Sequence, residues 1–218
     1  MKVKFFISAV MLLVATSASA QFQTGSSSSA ATASNEEDYN AIYFQYNPQT
    51  MYFDDEDESG ANGYLLGFVH GTQLSNQYPV YIESGLAFQY AKYDDNGTEM
   101  SFTDLRVPVN FSYRYQVPNS MFTIAPYVGL TAKINFSGKL EVDGYSGSVS
   151  FFDKDDMGES KYTANRFQLA WQIGVNADIN KIRLGIGYGK DLTEYMDCPG
   201  LFPEMKFGSL NLTLGVRF

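Results

Sequence analysis

Apolar and polar residues alternate along much of this chain, and the pattern is clearest in its last twelve residues, 207–218. A period of two predicts a β-strand with two different faces, because a helix repeats every 3.6 residues. The chain therefore ends in a predicted strand. Its apolar face consists of Leu210, Leu212, Leu214, Val216 and Phe218.

The same alternation recurs upstream and raises the number of predicted strands to eight. The two strands nearest the N-terminus show the alternation more weakly than the others. The seven further segments are 39–47, 63–73, 80–93, 105–115, 122–136, 166–179 and 182–189.

The connections between these predicted strands alternate in length. The short ones are 74–79, 116–120 and 180–181, and the others, most of them long and acidic, are 48–62, 94–101, 137–164 and 193–206. Such an alternation is typical of up-and-down barrels of bacterial outer membranes, which have tight periplasmic turns and longer external loops. The sequence thus predicts an all-β fold, an eight-stranded antiparallel up-and-down transmembrane β-barrel over residues 39–218.

A soluble lipocalin-type barrel would show the same alternation with its apolar face turned inward. Three features favour the membrane. The polar face is rich in glycine and alanine, which suit a crowded interior. Aromatic residues such as Phe102 and Phe136 fall near strand ends, where interfacial girdles form. The apolar face also continues for about ten residues per strand, as a tilted membrane strand requires. We expect the inward glycines to make room for Tyr81 or Tyr127.

The N-terminus indicates export. Residues 1–20 combine two lysines, an apolar run and a small-residue ending, which is the order of a secretory signal peptide, and residues 21–38 are a predicted flexible Ser-rich leader. The single cysteine, Cys198, excludes an intramolecular disulfide. A formal net charge of −9 is unfavourable to nucleic-acid binding. We therefore predict a location in the bacterial outer membrane.

Several segments resemble a known family. The closing Leu-Thr-Leu-Gly-Val-Arg-Phe resembles the C-terminal signal strand of bacterial outer-membrane barrels. The segments 81–86, 105–109 and 125–130 are similar to the small porin-like barrel domain common in Bacteroidetes. The resemblance covers about residues 39–218, and it implies the fold of OmpX and of the membrane half of OmpA. It also implies insertion by the barrel-assembly machinery, which would recognise the C-terminal strand. The residues of that signal are Leu214, Val216 and Phe218.

The inward face of the predicted barrel collects charges of both signs. Because an eight-stranded barrel is just wide enough to be filled by side chains, and because buried charges are costly unless paired, we expect ion pairs that plug the lumen. The alternative is a narrow solute or ion pore, in which six basic residues against two acidic ones would favour anions. The predicted lumen charge network is Glu83, Arg106, Arg114, Lys133, Arg166, Asp178, Arg183 and Arg217.

Catalytic chemistry has little support in the sequence. The only histidine, His70, falls late in the second strand on its apolar side, where an interfacial role is expected rather than that of a general base. We predict no enzymatic activity, no cofactor and no resident metal. Acidic runs such as 54–58 are candidates to gather Ca²⁺ or Mg²⁺ at a lipopolysaccharide surface, although none has the spacing of an ordered Ca²⁺ loop. Adhesion to a protein or host surface through 137–164 is the alternative, and the predicted role is structural or surface-interaction. The predicted partners of this monomer are outer-membrane lipid, lipopolysaccharide and a surface protein or host ligand.

Overall fold

The computed structural model describes residues 38–53, 56–75, 77–95, 97–142, 147–153, 164–198 and 202–218. The predicted signal peptide, and the predicted leader except Asp38, lie outside them. Within these ranges the strands are β1 (Tyr39–Phe53), β2 (Glu56–Gln73), β3 (Val80–Asp95), β4 (Thr98–Tyr113), β5 (Tyr115–Gln116), β6 (Phe122–Val142), β7 (Ser148–Ser150), β8 (Phe167–Ile179), β9 (Ile182–Asp191), β10 (Met196–Cys198) and β11 (Phe202–Arg217). Among the described residues, no helix is long and apolar enough to cross a membrane.

Eight of these strands close into one antiparallel barrel. Neighbours pair in the order β1, β2, β3, β4, β6, β8, β9, β11, and β11 then pairs with β1 to complete the ring. The short strands stay off this path, since β5 and β7 pair with β6, and β10 pairs with β11. The predicted eight-stranded antiparallel barrel is confirmed. Closure gives every long strand a partner on each side.

The alternating pattern separates the two faces of the barrel. On β11, Leu212 and Leu214 are exposed, whereas Asn211 and Thr213, which alternate with them, are buried. The apolar face therefore points outward and the polar face inward, which is the arrangement of a membrane barrel and the reverse of a soluble one. A belt of outward apolar side chains surrounds the barrel and faces lipid.

The two ends of the barrel differ. Short turns lie at one end, where the backbone groups of Asn40 and Phe218 also hydrogen-bond to each other. Asn180, at φ 55°, takes the left-handed conformation that a two-residue hairpin turn requires. Short turns mark the periplasmic end of an outer-membrane barrel, so the opposite end is external. The short turns are 74–79, 117–121 and 180–181.

The prediction of four mostly long external loops is wrong, because the strands are longer and the connections shorter than predicted. Most of 48–62 and 94–101 belongs to β1, β2, β3 and β4, so only two residues connect the strands at each place. Segments 137–164 and 193–206 are also partly strand, because β6 and β11 extend into them. Backbone pairing continues above the apolar belt because it needs only N–H and C=O groups. Described outward side chains there, such as Asp94, face water, so apolar residues no longer alternate with polar ones.

Close packing inside the barrel depends on glycine. The hydroxyl of Tyr127 lies over Gly174 and Gly187, and a Cβ at Gly174 would stand 2.6 Å from Tyr127 Oη. The expectation that inward glycines make room for Tyr127 is confirmed. Tyr81 also lies inside the barrel and is almost fully buried.

Candidate functional site in the barrel lumen

A network of charged side chains closes the periplasmic end of the lumen. Asp178 is at its centre and accepts hydrogen bonds from Arg183 Nε at 2.9 Å and from Arg114 Nη2 at 2.7 Å. Arg217 Nε lies 3.7 Å from Asp178 Oδ2, and Arg183 Nη1 lies 3.9 Å from Glu83 Oε2. Two carboxylates therefore face three guanidinium groups in an interior where only paired charges are tolerated. We call these residues the periplasmic network.

Tyr39 lies inside this network. Its hydroxyl donates a hydrogen bond to Glu83 Oε1. The guanidinium carbons of Arg114, Arg183 and Arg217 lie 4.5, 5.1 and 5.6 Å from the centroid of its ring. All three distances are within cation–π range, so the ring contributes to the compensation of the positive charge.

A polar cavity of about 50 Å³ lies in the middle of the lumen. Its lining includes Tyr43, Arg106, Asn110 and Gln172, and Gln172 Nε2 donates to Asn110 Oδ1 at 2.6 Å. One water molecule needs roughly 10–15 Å³ of open cavity volume, so this cavity has room for roughly three to five water molecules. The size and the polar lining suit water rather than an organic ligand.

A second set of ion pairs lies between this cavity and the external end. Lys133 Nζ is 2.5 Å from Asp191 Oδ1, and Arg106 Nε donates to Asp104 Oδ1 at 2.8 Å. Gln168 Nε2 donates to the second oxygen of Asp191 at 3.0 Å. About 10 Å³ of open space remains beside Lys133 and Asp191, which is no more than one water molecule occupies.

An apolar cluster closes the external end. Phe102, Tyr195 and Phe207 pack edge to face with ring centroids 5.2 to 5.5 Å apart. Phe151, which follows β7, stacks on Phe102 at 6.1 Å. Burial, and then the Asp104 carboxylate, raise the pKa of Tyr195 well above its ordinary value. We call this the external cluster. Its buried members are Met51, Ala91, Phe102, Phe151, Ala164, Tyr195, Met196, Met205 and Phe207.

The position of Phe102 corrects the interfacial girdle predicted for it. Phe102 lies on the same face of β4 as Asp104 and Arg106, and all three are buried inside the barrel. Side chains point alternately to the two faces of a strand up to its end. The odd or even position of Phe102 along β4 therefore decides that its ring faces the lumen, and its closeness to the membrane boundary does not. Phe136, the other aromatic predicted for the girdle, is exposed on the outside.

The structure brings together seven of the eight predicted lumen charges, five in the periplasmic network and two, Arg106 and Lys133, above the cavity. Arg166 is the exception. It is exposed at the external mouth, with its guanidinium carbon 4.7 Å from the ring centroid of Phe152. The prediction for Arg166 is wrong because the alternation was extended to a residue that precedes β8, where the backbone no longer follows the strand.

Two buried carboxylates, Asp104 and Asp191, were not predicted. Asp104 precedes the predicted strand 105–115, and Asp191 follows the predicted strand 182–189. Each is the next inward-facing position of its strand, so extending the period of two would have found both. Among the described residues, four buried acids now face four buried bases, with Arg217 half-buried beside them. The predicted excess of six basic over two acidic residues falls to five over four, and the expected preference for anions loses its basis.

His70 lies on the outer face of β2 near the periplasmic end. Its Nδ1 is 3.0 Å from Asn40 Oδ1, and Asn40 and Ser84 are its partners on the neighbouring strands. In the part of the chain that the structure describes, no group of three or more His, Cys, Asp or Glu side chains has the arrangement of a metal site. The acidic run 54–58 lies outside the residues whose side chains are described.

The three predicted assembly-signal residues lie along the last strand. Leu214 and Val216 are exposed on the outer face of β11, and Phe218 is exposed at the periplasmic end. β11 also closes the barrel against β1. Recognition of these residues by the barrel-assembly machinery stays a prediction.

The chain matches the family model described as outer membrane protein beta-barrel domain over residues 6–218. It belongs to this family, and its location is the bacterial outer membrane. An origin in Bacteroidetes stays a prediction. No curated protein matches the chain in sequence.

Solved structures with this fold include Ail, the attachment invasion locus protein of Yersinia pestis, at 16% identity and a TM-score of 0.50. They also include Neisserial surface protein A, at 14% identity and a TM-score of 0.50. Each match covers 84% of this chain and 100% of the other. The outer membrane enzyme PagL is a more distant likeness, at 11% identity and a TM-score of 0.44, over 79% of this chain and 98% of that one. At these identities the likeness shows the fold alone.

Proposed function

We propose that this outer-membrane barrel is closed to solutes and has a structural or surface-interaction role. The observation that carries the proposal is the filling of the lumen at successive levels. The periplasmic network, the Lys133–Asp191 pair and the external cluster follow one another along the barrel axis. Between the first two levels lies the cavity of about 50 Å³, which has room for a few water molecules.

A narrow solute or ion pore is the second candidate, and the central cavity favours it. A polar chamber already present inside the barrel would shorten the distance over which side chains must move to open a path. Conduction would still require rearrangement at both ends. Arg183 and Asp178 would have to separate at one end, and the rings around Phe102 at the other.

Planar-bilayer recording of the refolded protein tests these two candidates. The closed barrel is expected to give no reproducible single-channel steps. A variant with smaller side chains at both ends, Phe102→Ala with Phe207→Ala and Arg183→Ala, is the control for a detectable pore. Reproducible steps from the wild type, altered by Arg106→Ala or Arg183→Ala, would overturn the closed barrel and establish the pore.

We also infer that the barrel has no catalytic role. The support is the position of His70, whose imidazole lies on the outer face of the barrel beside Asn40. The imidazole lies near the periplasmic end of the barrel axis, far from the external end. A general base must lie within hydrogen-bond reach of the substrate proton that it removes. Lipid hydrolysis by the purified protein that Asp94→Asn leaves intact and His70→Ala abolishes would contradict this inference.

The surface-interaction role has support at the external end. β3, β4 and β6 extend above the apolar belt, where Asp94 and Glu99 share one cation, Lys92, and Glu141 lies on β6. The net charge of the whole chain is also strongly negative. Because complementary charge steers association, a basic surface is the expected partner there.

A further inference from the structure

The central cavity and the smaller space beside Lys133 and Asp191 are neighbours in the lumen. Four side chains line both of them, and each comes from a different strand of the barrel. We call these four residues the neck. They are Arg106 on β4, Thr131 on β6, Gln172 on β8 and Asn211 on β11.

Thr131 brings a buried hydroxyl without a partner to the neck. Its Oγ1 makes no hydrogen bond to any described residue, and Thr131 is only 5% exposed. It lies opposite Pro108 in the register of β4 and β6, and Pro108 also lines the central cavity. Because a buried hydroxyl is costly when it is left unsatisfied, this position requires a partner that occupies the neck.

The other polar groups of the neck are mainly donors. Among the described residues, Arg106 hydrogen-bonds only through Nε, to Asp104, so its two outer guanidinium nitrogens have no such partner. The Oδ1 atom of Asn211 accepts a hydrogen bond from Asn47, so the amide nitrogen of Asn211 remains as a donor. Together with the Thr131 hydroxyl, donors from three strands surround one small space.

The carboxylates nearest the neck already have their donors. Asp104 accepts from Arg106, and both oxygens of Asp191 accept hydrogen bonds. Glu83, which lines the periplasmic side of the cavity, accepts two hydrogen bonds. The groups left unmatched at the neck are therefore donors, and what they lack is an acceptor.

Two cations also lie side by side here. Arg106 and Lys133 are direct partners in the register of β4 and β6, and both are buried in the lumen. Like charges in this arrangement repel, even though each has a carboxylate of its own. A negative ion close to both reduces that repulsion.

We propose that the neck binds a small monovalent anion of the size of chloride. Its ligands are the outer nitrogens of Arg106, the hydroxyl of Thr131 and the amide nitrogen of Asn211. Chloride is only a little larger than a water molecule, and the cavity has room for roughly three to five water molecules, so the ion fits together with part of its hydration. Because each neighbouring base is paired with an acid, the site depends on unmatched N–H and O–H donors rather than on an excess of positive charge.

Unfolding in different salts tests the site. The purified protein is refolded into vesicles of an uncharged lipid in sodium chloride, sodium bromide or sodium gluconate at equal ionic strength. Gluconate is the reference, because it is too large for the cavity. A ligand that binds only the folded state raises the ratio of folded to unfolded protein, by about elevenfold when its concentration is ten times its dissociation constant. We expect such a rise in chloride and in bromide relative to gluconate.

Bromide also reports where the ion lies. In crystals grown in sodium bromide, its anomalous X-ray scattering is expected to give a peak between Arg106 and Thr131. Peaks on the outer surface alone would show an adventitious ion only and would overturn the proposal.

Thr131→Val removes the unmatched hydroxyl and keeps the shape of the side chain. It is expected to weaken chloride binding by about tenfold or more, because hydrogen bonds to charged groups are the strong ones. In gluconate the variant should be at least as stable as wild type, since it loses an unsatisfied buried group. Thr123→Val is the matched control on the same strand, because the buried Thr123 hydroxyl donates to Gln116 Oε1 and does not line the cavity. It is expected to lower stability equally in all three salts.

A second variant keeps the test decisive if Thr131→Val does not fold. Asp104→Asn with Arg106→Gln removes the ion pair without leaving an unpaired buried charge, and it is expected to lose the chloride effect. Equal ratios of folded to unfolded protein in chloride and gluconate would overturn the proposal. A chloride effect that both variants leave unchanged would also overturn it, because the salt would then act elsewhere. Bilayer recording tests the closed barrel separately, since a bound ion requires no path through the lumen.

Discussion

Tyr39 of β1 reaches across β2 to donate its hydroxyl hydrogen to Glu83 of β3. The strand register explains the reach, because Tyr39 lies opposite Gly71, and Gly71 lies opposite Glu83. The ring of Tyr39 occupies the space that a side chain at Gly71 would need, with its Cζ 2.5 Å from the site of a Cβ. A glycine on the middle strand therefore permits a bond between its two neighbours.

Substitution Gly71→Ala tests this dependence. The added methyl group would displace the Tyr39 ring and its contacts with the arginines, so we expect the free energy of unfolding to fall by about 1–3 kcal/mol. Urea unfolding in lipid vesicles measures the change. Gly60→Ala is the control, because its nearest neighbour, Gln49 O, would be 3.3 Å away at an exposed site. Equal effects of the two substitutions would argue against the role of Gly71.

Asp178→Asn is expected to be among the most destabilising polar substitutions. It removes the carboxylate that Arg114 and Arg183 share in the buried lumen, and breaking a buried ion pair on one side costs about 3–5 kcal/mol. The same unfolding measurement applies. Asp94→Asn, at an exposed carboxylate 3.8 Å from Lys92, removes an equal charge and should leave stability unchanged. A small effect at Asp178 would mean that the remaining carboxylate, Glu83, compensates all three arginines.

The fold was predictable because the period of two survives wherever one strand face meets lipid. Leu212 and Leu214 alternate with Asn211 and Thr213 for a physical reason, since lipid and lumen select opposite side chains. Above the apolar belt both faces are hydrated or covered by other segments. The strand extensions into 48–62 and 94–101 therefore left no alternation to recognise.

The lumen site was predictable in part for the same reason. Parity identified Asp178 and Arg183, and one further step would have added Asp191. The partners were not predictable, because they depend on how neighbouring strands are offset. The Tyr39–Glu83 bond across Gly71 follows only from the register. The external cluster was missed because it assembles Phe102 with Phe151 and Tyr195 from connecting segments that carry no periodic pattern.

Phe102→Ala tests the energetic role of the external cluster. Phe102 packs on Phe207, Tyr195 and Phe151 in a space closed by neighbouring side chains. Removing the ring leaves a cavity there, which costs about 3–5 kcal/mol for a buried phenylalanine. Phe136→Ala is the control, since its exposed ring on the outer face leaves no cavity. We expect faster proteolysis of 147–153, the segment that contains Phe151, in Phe102→Ala alone, and equal cleavage rates would contradict a stabilising role for the cluster.

Tyr195 makes the stability of the external cluster depend on alkaline pH. Burial, and then the Asp104 carboxylate, raise its pKa in the folded protein, whereas an unfolded tyrosine ionises near a pH of about 10. Above that pH the unfolded chain binds fewer protons than the folded one, so the free energy of unfolding falls as pH rises. Tyr195 Oη has no hydrogen-bond partner among the described residues, so Tyr195→Phe removes the titration without removing a bond.

Unfolding of wild type and Tyr195→Phe at pH values of about 8 and about 11 measures this dependence. We expect the difference between the two pH values to be smaller in the variant, because its unfolded state gains no ionised tyrosine at this position. An equal change in the free energy of unfolding for wild type and Tyr195→Phe would mean that the Tyr195 hydroxyl reaches water in the folded protein. The external cluster would then not close the external end of the barrel.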